Sequence, residues 1–337
     1  MEFLQSAAIS AELWQASLPE LSQVSVYQQW GFSEAIAAAY GYQPQRFALR
    51  QANASRYSAV VTLFRFGQTW VSLPFCDCGG IAAVDAAAAA QLLDALRQHL
   101  NGQPLILRQM HQLSPQPDAL HLQQQKVRMV LALQSDADAQ MQAFKAKLRS
   151  QIRKPEKEQF YCKQGGVELL ADFWQVFTYN MRELGSPVHS KALFVALLQQ
   201  PDLRSQMFVV YSPEHQPVAC GFVMGHGEML VNPWASSDRR FQKHAPNMLL
   251  YWQMLQYAIA NGYQQFDFGR STPGEGTYNF KSQWGAEPEP LHWYSSEADA
   301  GTIADSRLKQ LVIQIWQRLP LPLVNRLGPV LRKRIHL

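Results

Sequence analysis

Four polar side chains between residues 265 and 284 have types that can move protons and stabilise developing charge. Asp267 and Arg270 follow a stretch that alternates polar and aromatic residues, and Tyr278 and Lys281 lie three residues apart after a glycine-rich turn. Residues three apart share one side of a helix, so Tyr278 and Lys281 are predicted to face the same way. A site that moves a proton while negative charge develops needs a proton acceptor and hydrogen-bond donors aimed at that charge. Lys281 is the candidate for charge stabilisation, Tyr278 could donate a hydrogen bond to a developing oxyanion or protonate a leaving group, and Asp267 could orient Lys281 or accept a proton from the nucleophile.

Arg270 has two interpretations. Its guanidinium could bind an anionic group of the substrate, such as a phosphate or a carboxylate. Alternatively, Asp267 and Arg270 form a structural salt bridge that closes the turn after the strand.

A helix and a short strand are predicted to position this cluster. Pro246 suits a first helical position, apolar residues recur at helical spacing, and Asn261-Gly262 supplies a left-handed stop, so a helix is predicted over 246–260. The strand is predicted at 264–268, where Gly269 interrupts it. On the helix, Asn247 and Trp252 are candidate substrate contacts, although Asn247 could equally be a helix cap.

The same order of elements occurs twice in the chain. The first half predicts a helix over 27–40, strands at 46–50, 57–66 and 69–75, a helix at 86–100 capped by Asp85, and further strands at 104–108 and 126–133. The second half predicts strands at 205–211, 217–225 and 228–232 before the helix and strand described above. Both halves run from a Pro-containing corner through a loop and a helix to an Asn-Gly stop and a strand, which indicates one α/β unit used twice.

Composition excludes several classes of protein. The 337 residues allow about two domains, and 47% hydrophobic residues are typical of a globular protein. The net charge of only +4 argues against a dedicated nucleic-acid binder. Cys76, Cys78, Cys162 and Cys220 lack zinc spacing and are predicted to be reduced core thiols, so no metal is expected. The N-terminal residues lack a signal-peptide pattern, which predicts a cytoplasmic protein.

A basic segment lies between the two halves. A helix is predicted over 136–160, and its cations are Lys145, Lys147, Arg149, Arg153, Lys154 and Lys157. The run is either a solvated helix face or an interdomain surface that meets phosphate, pyrophosphate or an RNA backbone. Arg149 and Arg153 are the candidate substrate-binding residues of this segment.

A second helix, predicted over 173–184, ends in a polar group. It carries Arg182, a candidate substrate contact, near its end, and Gly185-Ser186-Pro187 follows. His189 in the next loop could be a general base near neutral pH, although a loop histidine is more often simply exposed.

The motif FDFGR, a glycine-rich turn and TYNFKSQWG resemble the YDFGG…LYxFKxxFG signature of the FemAB/FemX peptidoglycan aminoacyltransferases, two-domain members of the GNAT-like superfamily. KLRSQIRKPEKE, NMRELGSPVHSKALF, PNMLLYW and WQRLPLPLVNRLGP resemble the FemAB-related proteins of PEP-CTERM/exosortase exopolysaccharide systems. The resemblance implies two tandem GNAT-like α/β domains, 1–135 and 136–298, with 299–337 as a C-terminal helix and basic tail. It also places Lys281 at the reaction centre. Arg270 replaces the second glycine of the Fem turn, which puts a peptidoglycan acceptor in doubt.

The loop 235–245 bears on the acyl donor. Ordinary GNAT enzymes hold the pyrophosphate of acetyl-CoA on a glycine-rich loop there, whereas this loop has no glycine. Arg239, Arg240 and Lys243 could hold phosphate through their side chains instead. The resemblance therefore implies aminoacyl-tRNA as the donor, with acyl-CoA as the alternative, and no tightly bound cofactor.

The tail carries an amphipathic helix. Leu308, Leu311, Val312, Ile315, Trp316 and Leu319 form an apolar stripe that ends at Pro320, and a basic tail follows. The helix is predicted to pack on the second domain, with the last seven residues free. The alternative is a peripheral membrane anchor with Trp316 at the headgroups.

The resemblance implies an acyl- or aminoacyltransferase acting on an amino group of a cell-envelope or exopolysaccharide precursor. An N-acyltransferase that uses acyl-CoA or acyl carrier protein remains an alternative. A non-catalytic GNAT-like binding module in an export system is a second.

Overall fold

The computed structural model describes residues 1–297 and 307–336. The expected boundary at residue 298, the start of the tail at Ile303 and the side chain of Leu308 lie outside the described part. The chain forms two compact units. The first contains Met1–Val127 and the later strand His292–Ser295, and the second contains Arg128–Glu289 and the C-terminal helices.

Both units combine strands with helices. The strands are β1 (Glu2–Gln5), β2 (Gln45–Arg50), β3 (Ala59–Phe66), β4 (Thr69–Ser72), β5 (Ala82–Ala83), β6 (Leu105–Gln109), β7 (His121–Gln123), β8 (Val127–Ala132), β9 (Tyr161–Gly165), β10 (Gln206–Tyr211), β11 (Pro217–His226), β12 (Met229–Ser237), β13 (Gln265–Ser271), β14 (Glu287–Pro290) and β15 (His292–Ser295). The helices are α1 (Ala11–Ser17), α2 (Trp30–Tyr40), α3 (Ala86–Leu100), α4 (Ala137–Ala143), α5 (Ala146–Lys157), α6 (Leu170–Glu183), α7 (Lys191–Leu198), α8 (Pro246–Ala260), α9 (Gly276–Ser282), α10 (Arg307–Arg318) and α11 (Leu321–Arg332).

The first unit is a sheet in the order β1-β2-β3-β4-β6-β15-β7, with β5 paired to β3. Its principal core joins the sheet to α3 through Val61, Leu92 and Leu107, all fully buried. The side chain of Asp85 accepts the N–H of Ala88 and so caps α3, and Asn101 ends the helix in the left-handed conformation, as the sequence predicted.

The second unit is a sheet in the order β14-β8-β13-β12-β11-β10-β9. Adjacent residues of a strand point to opposite faces. On β11, Phe222 packs against Phe173 of α6, whereas Gly221 faces Met254 of α8. Helices α6 and α8 therefore cover opposite faces of this sheet.

Several predicted elements differ from those in the structure. The strand predicted at 126–133 in the first half joins the second sheet as β8, and β15, which follows the second half, joins the first sheet, because pairing between distant strands leaves little trace in local sequence. The predicted helix 136–160 is two helices, since Phe144 and Lys145 have extended backbone angles. The tail after Pro320 forms a second helix, α11, which the prediction missed.

Candidate functional site

Strands β12 and β13 of the second sheet pair along part of their length and then separate. We call the opening between them the fork. They run parallel and pair at Met229–Gln265, Leu230–Phe266 and Val231–Asp267. Among the residues that the structure describes, no further pair joins them, although β12 continues to Ser237 and β13 to Ser271. Helix α8 connects the two strands. It begins at Pro246, after β12 ends at Ser237 and a 3-10 helix, Arg239–His244, follows. The predicted candidate Asp267 is thus the last residue of β13 that pairs with β12.

Asp267 holds the turn at the end of the pairing. It is buried, and its Oδ1 accepts the N–H of Gly269 at 2.7 Å. Gly269 has a φ of +77°, a conformation that only glycine adopts readily, so the turn needs both residues. The other carboxylate oxygen, Oδ2, lies 3.9 Å from Nη1 of Arg128. Arg128 therefore forms an ion pair with Asp267.

The sequence analysis did not identify Arg128. Its guanidinium also contacts Glu289, with Nε donating to Oε2 at 2.7 Å. The available signal was a single arginine within the otherwise apolar strand sequence VRMVLA, a pattern that often marks a buried ion pair. Only the pairing of β8 beside β13 brings Arg128 to Asp267.

Lys281 holds the carboxyl end of β13. The lysine is 7% exposed, and its Nζ donates to the backbone oxygens of Gly269 and Arg270, at 2.9 Å in each case. These are charge-assisted hydrogen bonds in a buried setting, which makes them strong. Lys281 therefore positions the strand end where the fork opens.

The other residues predicted for the cluster are more accessible. Tyr278 is half-buried and lies one helical turn before Lys281 on α9, and Arg270 is half-buried near the end of β13. Asn247 is half-buried in the first turn of α8. Helix α8 begins at Pro246 after the left-handed Ala245, with no side-chain cap, so Asn247 is not the helix cap.

Two buried polar atoms accompany the fork. Within residues 1–297 and 307–336, Asn232 Oδ1 and Ser271 Oγ are buried and have no hydrogen-bond partner. Asn232 is the first residue of β12 beyond the last pair, and Ser271 is the last residue of β13. Unsatisfied buried polar atoms are uncommon in folded proteins and call for an explanation such as a missing ligand.

The loop between β12 and α8 is a short 3-10 helix, Arg239–His244. Buried Asp238 accepts the N–H of Arg240 and both ends of its guanidinium, which raises the pKa of Arg240. Arg239 is 62% exposed and lies 3.8 Å from Glu183, and Lys243 is exposed. Of the three predicted phosphate-binding cations, Arg240 is thus engaged by Asp238, whereas Arg239 and Lys243 extend toward solvent.

Tyr179 gathers two cations next to this loop. The guanidinium of Arg182 lies 5.2 Å from the ring centre of Tyr179, and that of Arg240 lies 5.0 Å from it. Arg182 was predicted as a substrate contact, and its Nε is buried without a hydrogen-bond partner in the described part of the chain. The end of α6 and the loop after β12 therefore form one cationic patch, which the sequence analysis had not joined.

The basic helix α5 borders a separate pocket of about 340 Å³. Its wall includes Lys145, Lys147, Gln151 and Trp284. Arg153 is exposed, but the Nη1 of Arg149 donates to the backbone oxygen of Phe144 at 2.5 Å. Arg149 therefore has a structural role in joining α4 to α5, which differs from its predicted role as a substrate contact.

Residues 142–282, which contain the fork, match the family described as acetyltransferase (GNAT) domain. The match covers 141 of the 337 residues, so it shows a likeness of this segment to that family. A search for relatives among curated proteins returned no match.

Solved structures share the fold of the whole chain. FemX has a TM-score of 0.67 and 14% identity, covering 94% of this chain and 100% of its own. L-PGS from Bacillus licheniformis has a TM-score of 0.56 and 13% identity, covering 92% of this chain and 98% of its own. The tandem GNAT protein from the clavulanic acid biosynthesis pathway has a TM-score of 0.55 and 11% identity, covering 89% and 99%. The predicted mixed α/β fold of two tandem GNAT-like units is confirmed.

Two predicted site residues, Trp252 and His189, are buried. Trp252 is 5% exposed, and its ring packs 6.1 Å from that of Phe144. His189 is 1% exposed, and its Nε2 accepts the Nε–H of Arg332 at 3.1 Å. Burial and the charge of Arg332 hold the pKa of His189 well below its usual value. These contacts correct the expectation that His189 is an exposed loop residue, and they leave its imidazole shielded from a substrate.

The cysteines are free thiols. Cys76, Cys78 and Cys220 are buried, and burial raises the pKa of half-buried Cys162 to about 12. In the described residues, no group of three or more His, Cys, Asp or Glu side chains could hold a metal ion.

Proposed function

We propose that this protein transfers an acyl or aminoacyl group to an amino group of a cell-envelope or exopolysaccharide precursor. The observation that carries this proposal is the fork of β12 and β13 inside a domain that matches the GNAT acetyltransferases. Beyond the last pair, the two strands no longer bond to each other within the residues that the structure describes, and the Ser271 hydroxyl and Asn232 Oδ1 lie there without partners. Unpaired backbone N–H groups and the Ser271 hydroxyl can donate to the carbonyl of an acyl donor, and Asn232 Oδ1 can accept from an N–H or O–H group.

The reaction joins the amine nitrogen to the carbonyl carbon of the donor. The bond from that carbon to the oxygen of an ester donor, or to the sulfur of a thioester donor, then breaks. The amine loses one proton, and the leaving oxygen or sulfur gains one. We propose that Tyr278 donates this proton, because it is accessible and lies on the same helix as Lys281.

We propose different roles for Lys281, Asp267 and Arg270. Lys281 and Asp267 are engaged with the backbone at Gly269 and Arg270, so both position the strand end, and the Lys281 ammonium adds positive charge near the carbonyl. Arg270, half-buried near the end of β13, binds an anionic group of the acceptor.

The loop before α8 favours an aminoacyl-tRNA donor over acetyl-CoA. A 3-10 helix occupies the loop, it has no glycine, and Pro246 removes one backbone donor at the start of α8. The exposed Arg239 and Lys243 suit phosphates held by side chains. FemX and L-PGS are among the similar structures, which also supports a donor of the Fem type.

An acyl-CoA or acyl carrier protein donor is the second candidate. The family match to acetyltransferases favours this candidate. The similar tandem GNAT protein, which was solved in its AcCoA-free form, also favours it. The two candidates differ in which ligand the folded protein binds.

Thermal shift and calorimetry with three ligands test the proposal. The ligands are acetyl-CoA, a longer acyl-CoA and a non-hydrolysable analogue of the aminoacyl-tRNA end. A ligand at about 100 times its Kd stabilises the folded state by about 2.7 kcal/mol. We expect stabilisation by the aminoacyl analogue, weakened in Arg239→Gln/Lys243→Gln and unchanged in the control Arg65→Gln/Arg97→Gln, which removes two exposed cations of the first unit. Tight binding of either acyl-CoA with no binding of the analogue contradicts the proposed donor, and binding of none favours the non-catalytic module.

A further inference from the structure

The C-terminal helices have an unusual charge pattern. Residues 307–336 contain no Asp or Glu. Their seven Lys and Arg residues are Arg307, Lys309, Arg318, Arg326, Arg332, Lys333 and Arg334. A stretch with cations alone attracts anionic surfaces and repels a second copy of itself.

One side of these helices packs on the second unit. Trp316 and Val324 are buried, Ile313 contacts Gly185, and Gly328 approaches Val188 so closely that a Cβ would lie 2.7 Å from its side chain. Gln317 Nε2 donates to the backbone oxygen of Glu183 at 2.9 Å. The predicted packing of the first tail helix is therefore present, but Trp316 belongs to the packed side and is unavailable to headgroups.

The other side of both helices is apolar and exposed. On α10, Leu311, Val312 and Ile315 are between 52% and 56% exposed. On α11, the exposed apolar residues are spaced i, i+4, i+7 and i+8, namely Leu323, Leu327, Val330 and Leu331. This spacing forms one stripe along a helix, in which Leu323, Leu327 and Val330 lie away from the packed positions Val324 and Gly328, while Leu331 lies at the edge of the packed side. Within residues 1–297 and 307–336, each helix thus has one side packed on the unit and another that is apolar and exposed.

Exposed cations accompany the apolar stripes. Arg318 ends α10, Arg326 lies one residue before Leu327, and Lys333 and Arg334 follow α11. The last seven residues were predicted to be free, but the structure shows His336 held. The backbone oxygen of His336 accepts hydrogen bonds from Phe75 N at 3.0 Å and from Arg108 Nη2 at 2.8 Å. The chain is therefore held beyond α11, and Lys333 and Arg334 stay close to the exposed stripe of that helix.

We infer that the exposed faces of α10 and α11 form a peripheral binding surface for anionic lipid. An amphipathic helix with apolar side chains on one face and Lys or Arg beside them lies in the plane of a lipid interface. Among the helices in residues 1–297 and 307–336, none has the length and apolar content of a membrane-spanning helix. The inference does not depend on the proposed reaction, because it rests on the tail alone.

Vesicle co-sedimentation of the full chain tests this surface. One set of vesicles contains equal parts phosphatidylglycerol and phosphatidylcholine, and the other contains phosphatidylcholine only. We expect binding to the anionic set and little to the neutral set. Neutralising two cations in Lys333→Gln/Arg334→Gln should weaken binding roughly thirtyfold, since each cation near an anionic surface contributes about 1 kcal/mol and 1.4 kcal/mol is tenfold.

A second variant tests the apolar stripe. Leu327→Ser/Val330→Ser should weaken vesicle binding at least about tenfold, because it removes apolar side chains that the lipid interface would bury. The matched control Val84→Ser/Val167→Ser changes two exposed apolar residues elsewhere, 42% and 59% exposed, and should bind like the wild type. Circular dichroism establishes that all variants remain folded.

Three outcomes overturn the inference. The first is the absence of vesicle binding by the wild type, and the second is equal binding to both sets of vesicles. The third is self-association in analytical ultracentrifugation that Leu327→Ser/Val330→Ser abolishes while vesicle binding is missing. That result would assign the face to a second copy of the chain.

Discussion

Replacing Lys281 with methionine tests the two hydrogen bonds, here called the clamp, by which Lys281 Nζ holds the carboxyl end of β13. Methionine keeps most of the side-chain volume but removes the ammonium that donates to the oxygens of Gly269 and Arg270. Each hydrogen bond to a charged group contributes about 1.5–3 kcal/mol, and removal of the buried ammonium returns part of its desolvation cost. The net loss in the free energy of unfolding should be about 2–4 kcal/mol.

Urea denaturation measures this loss. The midpoint of Lys281→Met should fall while the slope stays at the wild-type value, because the surface exposed on unfolding is nearly the same. Amide hydrogen exchange should show faster exchange near residues 269–271, where the clamp acts. Exposed Lys147→Met on α5 is the matched control and should change stability by no more than about 0.5 kcal/mol. A Lys281→Met midpoint equal to that of the wild type would refute the argument that the ammonium holds this strand end.

Two further predictions concern the second unit. Because the pKa of His189 is lowered in the folded state, the unfolded state takes up a proton first as pH falls below about 6.5. The contribution of His189 to stability is then fully present above that pH, and the free energy of unfolding should decline below it by up to about 1.4 kcal/mol per pH unit. Urea midpoints across pH 5–8 measure this slope. His189→Gln should flatten the slope, and the control His121→Gln, at an exposed histidine, should not. Gly225→Ala should cost about 1–3 kcal/mol, because its Cβ would lie 1.9 Å from the hydroxyl oxygen of buried Tyr263. Gly276→Ala, which meets no atom within 4 Å, should leave the thermal midpoint nearly unchanged; equal shifts for the two variants would contradict the clash.

Local patterns predicted many elements because their causes lie within a few residues. Helix α8 begins at Pro246 and ends before Asn261, as predicted, since a proline at the first position and a left-handed stop after the helix are short-range signals. The Gly67-Gln68 turn between β3 and β4 was predicted for the same reason. The motif around Asp267 and Lys281 also marked where the chain concentrates polar groups.

Only the tertiary structure decided what these polar groups contact. Arg128 reaches Asp267 because β8 pairs in the second sheet, and the local sequence around either residue carries no record of that pairing. Lys281 meets two backbone oxygens across a turn, and Arg332 from the tail buries His189. The sequence by itself determined the residue types, the helix and turn boundaries and the cationic character of the tail. Burial, ion-pair partners and the exposed side of α10 and α11 depend on contacts between distant segments, so they appeared only once the chain was folded.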